Sequence, residues 1–321
     1  MASAGSIGMP PVGMGFWKVP REQTADVLYE AISAGYRHLD FACDYGNEKE
    51  CGEGIRRAIS AGLCTRQELF ITSKLWNTYH RREHVPLACQ RSLDDLGLDY
   101  VDLYLIHFPI SLPFVPFEES YPPEWTDKPG NAGVMRIDPV PYRETWEAME
   151  ALKLAGKAKH IGVSNLNCFG LMDVLSYCQI KPAVNQVEMH PYNTQESLLA
   201  FCKEHGVVVA AFSPLGAGSY VGIGLAEASE NVLVDPVVTG IAAAHGKTTA
   251  QVCLRFLTQR DVPVIAKSLN PGRMRENLVS DFNLSESDIG ALKGLNRNRR
   301  FNDPGHFTKG MGMPNGYPIH A

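Results

Sequence analysis

The feature of this 321-residue chain that most limits its fold is an alternation of short apolar runs with amphipathic helical patterns. Each run is short enough for one strand, and apolar residues at helical spacing follow it. The runs cover residues 12–16, 36–41, 69–73, 101–106, 160–163, 183–187, 207–212 and 262–266. Run 101–106 is nearly continuously apolar, which is typical of a parallel strand buried on both faces. Eight such units, with no linker between two halves, predict an α/β fold: a closed (β/α)8 TIM barrel in one domain, residues 1–321. An open doubly wound sheet is the alternative.

Two long segments and the tail interrupt this alternation. Residues 108–141 carry many prolines and several aromatic residues, and residues 213–231 are rich in glycine. A long irregular segment inside a compact domain is usually functional or disordered. The aromatic content of 108–141 favours an ordered flap. The tail, residues 296–321, is polar and glycine-rich.

Composition excludes several classes of function. The chain is 45% hydrophobic and 20% charged, with a net charge of -5, so it has no basic footprint for nucleic acid or an anionic membrane. No segment has the pattern of a secretory signal or a membrane span. The eight cysteines form no C-x-x-C pair, and reduced thiols in a cytoplasmic protein are favoured over disulfides. His80 and His84 could share a helix face, but nothing nearby completes a metal site.

Polar residues recur where the predicted strands end. In a parallel barrel the carboxyl ends of all strands meet at one mouth, where active sites lie. Asp40 ends the second strand and Tyr45 lies on the loop beyond it. On these two residues alone, a buried aspartate paired with a cation and a tyrosine capping a turn is an equal alternative. The other polar residues at strand ends are Lys74, His107, Ser164, Asn165, Gln186, Ser213, Lys267 and Ser268.

Several motifs around these residues resemble the aldo-keto reductase superfamily. They include Leu39-Asp-Phe-Ala-Cys-Asp-Tyr45-Gly-Asn-Glu, Ile-Thr-Ser-Lys74-Leu-Trp and Leu-Ile-His107-Phe-Pro. Further matches are Ile161-Gly-Val-Ser-Asn165, Pro182-Ala-Val-Asn-Gln186-Val-Glu and Ile265-Ala-Lys267-Ser268. The matches span nearly the whole chain. The flap and the tail segment Arg300-Phe-Asn-Asp-Pro are most similar to the xylose reductase and aldose reductase branch, and plant mannose-6-phosphate reductases are a second resemblance.

The resemblance implies a catalytic group of Asp40, Tyr45, Lys74 and His107. In it, Tyr45 is the general acid that protonates the carbonyl oxygen as hydride arrives from a nicotinamide. Lys74 would stabilise the tyrosine anion, and Asp40 would hold Lys74 in place. His107 would orient the carbonyl oxygen.

The resemblance also implies NADPH as the cofactor. Phe212 occupies the position where the family usually stacks a tyrosine on the nicotinamide. Lys267 and Arg273 match positions that could clasp a 2′-phosphate. Leu269 replaces an asparagine that helps xylose reductases grip the ribose of NADH, so use of NADH stays open. The implied cofactor residues are Trp17, Asp40, Ser164, Asn165, Gln186, Phe212, Ser213, Leu215, Gly216, Lys267, Ser268, Arg273 and Asn277.

For the substrate, the resemblance implies an aldose or another small aldehyde. A sugar phosphate such as mannose 6-phosphate is an alternative. Residues 213–231 would cover the cofactor, and the tail 296–321 would shape the substrate pocket, although Gly305-His-Phe307 stands where a Trp-rich end is expected. The implied substrate residues are Trp17, Asp44, Trp76, His107, Phe108 and Asn302.

Rival interpretations remain. Tyr45-x-x-x-Lys49 imitates a short-chain dehydrogenase pair, but the glycine-rich strand-turn-helix of that class is missing. Gly216-x-Gly218 lacks the spacing of a dinucleotide-binding loop. A barrel of this kind could also bind NADPH as a non-catalytic regulatory or structural protein. Both a monomer and a weak homodimer are open.

Overall fold

Eight parallel strands close into a barrel in the computed structural model, which describes residues 3–279 and 281–320. Each strand pairs with its neighbours in chain order, and the last strand pairs with the first. The strands are β1 (Val12–Gly15), β2 (His38–Asp40), β3 (Phe70–Leu75), β4 (Val101–Ile106), β5 (Ala158–Ser164), β6 (Val184–Glu188), β7 (Val208–Phe212) and β8 (Val264–Ala266). The predicted closed barrel is confirmed, and the open sheet is excluded.

Helices surround the barrel. In chain order the α-helices of the described residues are α1 (Arg21–Ala34), α2 (Glu48–Ser60), α3 (His84–Leu96), α4 (Tyr142–Leu154), α5 (Cys168–Tyr177), α6 (Glu196–His205), α7 (Pro236–His245), α8 (Thr249–Thr258), α9 (Pro271–Leu278), α10 (Glu286–Gly294) and α11 (Pro304–Phe307). The strand boundaries differ from the predicted ones by at most two residues, and one such difference extends β3 to Leu75 instead of ending it at residue 73. Lys74 therefore lies inside β3, where pairing with Leu105 of β4 fixes its backbone.

The period-two pattern of the strands separates two cores. Leu39 and Phe41 point outward into the large core between sheet and helices. The barrel interior holds a smaller apolar cluster that includes Phe70, Leu103 and Leu105. Residues of opposite parity in β2, His38 and Asp40, are buried on the inner side. Alternation therefore places Asp40 inside the barrel, at the end of its strand.

The amino end closes the bottom of this interior. Ala4 and Met9 pack into the inner apolar cluster. Next to them the His38 ring fills the space beside Gly13, where a Cβ atom would lie 2.6 Å from the ring nitrogen Nδ1. Only glycine leaves room for this ring. The polar site is thus confined to the opposite, carboxyl end.

The long segments meet at that carboxyl end. In residues 108–141 the only regular element is a short 3-10 turn, Pro129–Asn131. Aromatic packing orders the segment, with Phe117 and Tyr121 in edge contact at 5.4 Å. The amide of Met135 donates a hydrogen bond to the carbonyl of Met311 at 2.8 Å, which joins the flap to the tail. No helix within residues 3–279 and 281–320 has the length and apolar character needed to cross a bilayer. All eight cysteines are free thiols.

Candidate active site

A buried hydrogen-bonded network joins the ends of β2 and β3 to the turn beyond β2. The ammonium of Lys74, whose side chain is 0% exposed, lies 2.6 Å from Asp40 Oδ1. The same Nζ donates to the carbonyl of Phe41 at 2.7 Å and to Tyr45 Oη at 3.1 Å. Parallel pairing of β2 with β3 thus brings the predicted aspartate and lysine into contact, and the turn after β2 adds the predicted tyrosine.

The second oxygen of Asp40 is also held. Gln186 Nε2 donates a hydrogen bond to Asp40 Oδ2 at 2.7 Å. The resemblance assigned Gln186 to the cofactor, and the sequence did not predict its contact with Asp40. Both carboxylate oxygens of Asp40 therefore have donors, which offsets the cost of burying the charge.

Tyr45 is placed by a short turn. A 3-10 turn, Cys43–Tyr45, ends at Gly46 in the left-handed conformation with φ 70°. Burial raises the pKa of Tyr45 well above its ordinary value, and the carboxylates of Asp40 and Asp44 raise it further. The phenol is therefore protonated at neutral pH and can donate a proton, while Lys74 lies ready to stabilise the anion left behind.

His107, which directly follows β4, lies beside the phenol. The rings of Tyr45 and His107 make an edge contact with centroids 5.9 Å apart. His107 Nδ1 lies 3.0 Å from Asp44 Oδ1, without the alignment of a hydrogen bond among the described residues. The site thus contains a phenol, an imidazole and a carboxylate on one wall.

One large cavity connects almost all the predicted residues. Its volume is about 1660 Å³, above the range of roughly 300–1,000 Å³ common for small-ligand pockets. Lys74 does not line it, because its side chain is covered by Tyr45 and Asp40. Ser164 does not line it either. The predicted residues that line the cavity are Trp17, Asp40, Asp44, Tyr45, Trp76, His107, Phe108, Asn165, Gln186, Phe212, Ser213, Leu215, Gly216, Lys267, Ser268, Arg273, Asn277 and Asn302.

Ser164 and Asn165 have different environments although they are adjacent. The hydroxyl of Ser164 donates to the carbonyl of Gln186 at 2.7 Å. Asn165 adopts a left-handed backbone with φ 61° and donates from Nδ2 to the carbonyl of His107 at 2.9 Å. Its Oδ1 is buried without a hydrogen-bond partner among the described residues. Asn165 therefore offers a free acceptor at the cavity wall, and Ser164 braces the strand end behind it.

The segment after β7 covers part of the cavity. Ser213, with φ 51°, shares a hydrogen bond of 2.7 Å with the hydroxyl of Tyr220. Tyr220 packs against Trp17 with ring centroids 5.5 Å apart. Lys18 Nζ donates to the carbonyl of Ser219 at 2.9 Å, which ties this segment to the loop after β1. Tyr220 is a cavity residue that the sequence did not single out.

The region after β8 supplies the cations. Lys267 and Arg273 are the only lysine or arginine side chains among the described residues that line the cavity. Neither forms an ion pair with a described carboxylate. Burial lowers the pKa of Lys267. Since neither cation pairs with a carboxylate of the described residues, this end of the cavity suits an anionic group.

An aromatic wall faces the His107 side. Trp125 of the flap lies 5.0 Å from Trp76 and 5.0 Å from Phe108, measured between ring centroids. Phe307 of the tail packs on Trp125 at 5.1 Å. Trp125 and Phe307 line the cavity but were not predicted as site residues. The aromatic content of the flap was the available signal for Trp125.

The tail is fastened next to this wall by Glu188 at the end of β6. Its carboxylate accepts the amide hydrogen of Phe301 at 2.8 Å and that of Asn302 at 2.7 Å. This contact explains how a residue of the irregular tail reaches the cavity.

Comparison with known proteins agrees with this architecture. The model of the aldo/keto reductase family matches residues 6–297. A protein of Aspergillus clavatus named "Probable NAD(P)H-dependent D-xylose reductase" is 48% identical over 299 residues, which cover 92% of this chain and 90% of that protein. The "NAD(P)H-dependent D-xylose reductase" of Pachysolen tannophilus is 47% identical over 304 residues, or 94% of each chain.

Solved structures are similar along the whole barrel. The aldose reductase of Schistosoma japonicum superposes with a TM-score of 0.84 at 37% identity, covering 97% of this chain and 95% of that one. The aldo-keto reductase of Bombyx mori in complex with NADP gives a TM-score of 0.80 at 38% identity, with 92% of each chain covered. With the closed barrel, the joined aspartate, lysine and tyrosine, and these matches, the chain belongs to the aldo/keto reductase family.

Proposed function

We propose that the protein reduces an uncharged aldehyde, such as an aldose, to the alcohol with NADPH. The observation that carries this proposal is the contact of 3.1 Å between Tyr45 Oη and the buried ammonium of Lys74, at a cavity also lined by His107. Relatives named NAD(P)H-dependent D-xylose reductases support the same activity.

In this proposal each catalytic residue has one task. Tyr45 donates its proton to the carbonyl oxygen as negative charge develops there, and Lys74 stabilises the phenolate that remains. Asp40 holds Lys74 in position. His107 forms a hydrogen bond with the carbonyl oxygen and orients it. When bound, the nicotinamide supplies the hydride.

The residues that line the cavity fit NADPH. Asn165 Oδ1 is a buried acceptor without a partner among the described residues, and Gln186 lies beside it on the wall. These two amides would hold the carboxamide, and Phe212 would stack on the ring. Lys267 and Arg273 would bind the 2′-phosphate, since two cations that form no ion pair with a described carboxylate favour a doubly charged group. We propose that the segment 213–231 covers the cofactor.

Charge on the cavity wall favours an uncharged substrate. Asp44 and Glu124 line the cavity, and the two cations there belong to the β8–α9 region assigned to the cofactor. A phosphate or carboxylate on the substrate would meet carboxylates without a compensating cation. The indole Nε1 of Trp76 is buried without a partner among the described residues, so it would be satisfied by a substrate hydroxyl. Asp44, His107 and Asn302 would bind the other hydroxyls, and Trp17 and Phe108 would contact the carbon chain.

We also propose a cytoplasmic protein that acts as a monomer or weak homodimer, without a nucleic-acid or membrane partner. The net charge of -5 and the free thiols of all eight cysteines support this proposal. Light scattering during size-exclusion chromatography would measure the oligomeric state.

Steady-state kinetics test the proposed function. The fall in NADPH absorbance would be followed with D-xylose, DL-glyceraldehyde and mannose 6-phosphate. We expect turnover with the two uncharged aldehydes and a lower kcat/KM for the phosphate. A folded sample that binds NADPH but oxidises it with none of the three would refute the reductase assignment. A higher kcat/KM for mannose 6-phosphate than for D-xylose would refute the uncharged substrate class.

A further inference from the structure

A buried carboxyl group lies behind the catalytic network. Glu48, the first residue of α2, follows Tyr45 by three positions and is 3% exposed. Its Oε1 accepts a hydrogen bond from Ser73 Oγ at 2.5 Å, and its Oε2 accepts one from Ser92 Oγ at 2.8 Å. Ser73 directly precedes Lys74 in β3, whereas Ser92 lies on α3. No described cation pairs with Glu48.

We propose that Glu48 is a positioning residue that acts through Ser73 to set the distance between Tyr45 Oη and Lys74 Nζ. The inference rests on the catalytic roles proposed above for Tyr45 and Lys74. Glu48 does not line the cavity, so it acts on the reaction only through the residues it holds.

The turn that carries Tyr45 needs such a support. It is a 3-10 turn of three residues, too short to be stable without outside contacts. On one side the buried side chain of Asn47 donates to the carbonyls of Phe16 at 3.0 Å and Val19 at 3.2 Å. On the other side Glu48 binds Ser73. Two consecutive residues therefore fasten the turn to the loop after β1 and to β3.

The choice of a carboxyl group at this position also needs a reason. Burial raises the pKa of Glu48 to about 7, so ionisation of this carboxyl group costs free energy in the folded protein. An apolar residue would avoid that cost but could not accept hydrogen bonds from two serines on two different elements. The hydrogen bonds of Glu48 affect the rate if they hold the reacting groups in place, because a shift of about 1 Å in reacting groups can lower a rate about 100-fold.

The two serines provide a matched comparison. Ser73→Ala removes the bond toward the strand of Lys74, and Ser92→Ala removes an equally buried bond toward α3. We expect Ser73→Ala to lower kcat about tenfold with little change in KM or in the Kd for NADPH. Ser92→Ala should lower the melting temperature and leave kcat within about twofold. A merely structural role predicts that both variants lose stability and neither changes kcat, and that result would overturn the proposal.

Substitution of Glu48 itself adds an independent readout. Glu48→Gln can accept from Ser73 and donate to Ser92, so we expect it to restore the kcat that Glu48→Ala loses. Equal kcat values for Glu48→Ala and the parent protein would also overturn the proposal. Tyr45→Phe is measured in parallel: if it stays active, the proposed acid role fails. If it is inactive while Ser73→Ala is unimpaired, only the positioning role fails. The serine variants keep the test decisive if Glu48→Ala does not fold.

Discussion

The buried pair of Asp40 and Lys74 allows stability and catalysis to be separated by a double-mutant cycle. Lys74 is fully buried, and its ammonium contacts one carboxylate oxygen at 2.6 Å and one backbone carbonyl at 2.7 Å. Asp40→Leu leaves that ammonium without a counter-charge, and Lys74→Met leaves the carboxylate with only the amide of Gln186. Breaking a buried pair by removing one partner costs about 3–5 kcal/mol, so each single variant should lose that much free energy of unfolding.

The double variant Asp40→Leu/Lys74→Met should behave differently. Replacing both members of a buried ion pair by apolar residues is often neutral for stability. The remaining costs are the unpaired amide of Gln186 and the unpaired carbonyl of Phe41, about 1–3 kcal/mol each. We therefore expect the double variant to lose less free energy of unfolding than the sum of the two single losses, with a coupling free energy of about 3 kcal/mol.

Urea unfolding followed by circular dichroism measures the four free energies, and NADPH oxidation measures turnover. We expect the double variant to be folded and to have lost activity at least about 100-fold. It lacks both Lys74, the proposed partner of Tyr45, and Asp40, which holds Lys74 in position. If the free energy of unfolding lost by the double variant equals the sum of the two single losses within about 0.5 kcal/mol, the two charges are not coupled and the reasoning is refuted.

Three further predictions concern the acid, the cofactor and the barrel interior. Tyr45→Phe should lower kcat about 100- to 10,000-fold while the Kd for NADPH, measured by fluorescence titration, stays unchanged; an active variant would contradict the acid role. Lys267→Ala should weaken NADPH binding roughly 10- to 100-fold and NADH binding little, because a charge-assisted hydrogen bond contributes about 1.5–3 kcal/mol, and equal losses for both cofactors would contradict the 2′-phosphate assignment. Burial lowers the pKa of His38 to about 4, so between pH 6.5 and 4 the unfolded chain takes up a proton that the native chain does not, and stability falls as the pH falls through that window. His38→Asn should reduce this slope by about 1.4 kcal/mol per pH unit in urea unfolding, and an unchanged slope would show that another group causes it.

Strand ends were the most informative positions in the sequence. Asp40 and Lys74 are 34 positions apart, yet their side chains meet at 2.6 Å. Each could be placed from its own neighbourhood, because period-two alternation locates a strand and the barrel rule locates its carboxyl end. The contact itself follows from parallel pairing, which aligns Asp40 with Thr72, two residues before Lys74.

Loop positions were far less informative. Trp125, Tyr220 and Phe307 line the cavity, but Trp125 and Tyr220 lie outside the α-helices and strands, and Phe307 ends the four-residue helix α11, which is too short to show a helical period in the sequence. Their places depend on how the flap packs on the tail and how the segment after β7 folds back on Trp17. Such contacts are long-range and leave no local pattern, so composition predicted only that the flap is ordered.

The limit of prediction from the sequence is clearest for two adjacent residues. Ser164 and Asn165 both follow from the pattern at the end of β5, but only Asn165 lines the cavity, because its left-handed backbone turns it toward the mouth. Local apolar periodicity was sufficient for the eight strands and the closed barrel, whereas the proposed catalytic residues came from motifs that resemble those of aldo-keto reductases. Distances within the network, the second partner of Asp40 and the buried carboxyl group of Glu48 required the folded chain. They arise from barrel closure and loop packing, which join residues far apart in the sequence and which no local pattern encodes.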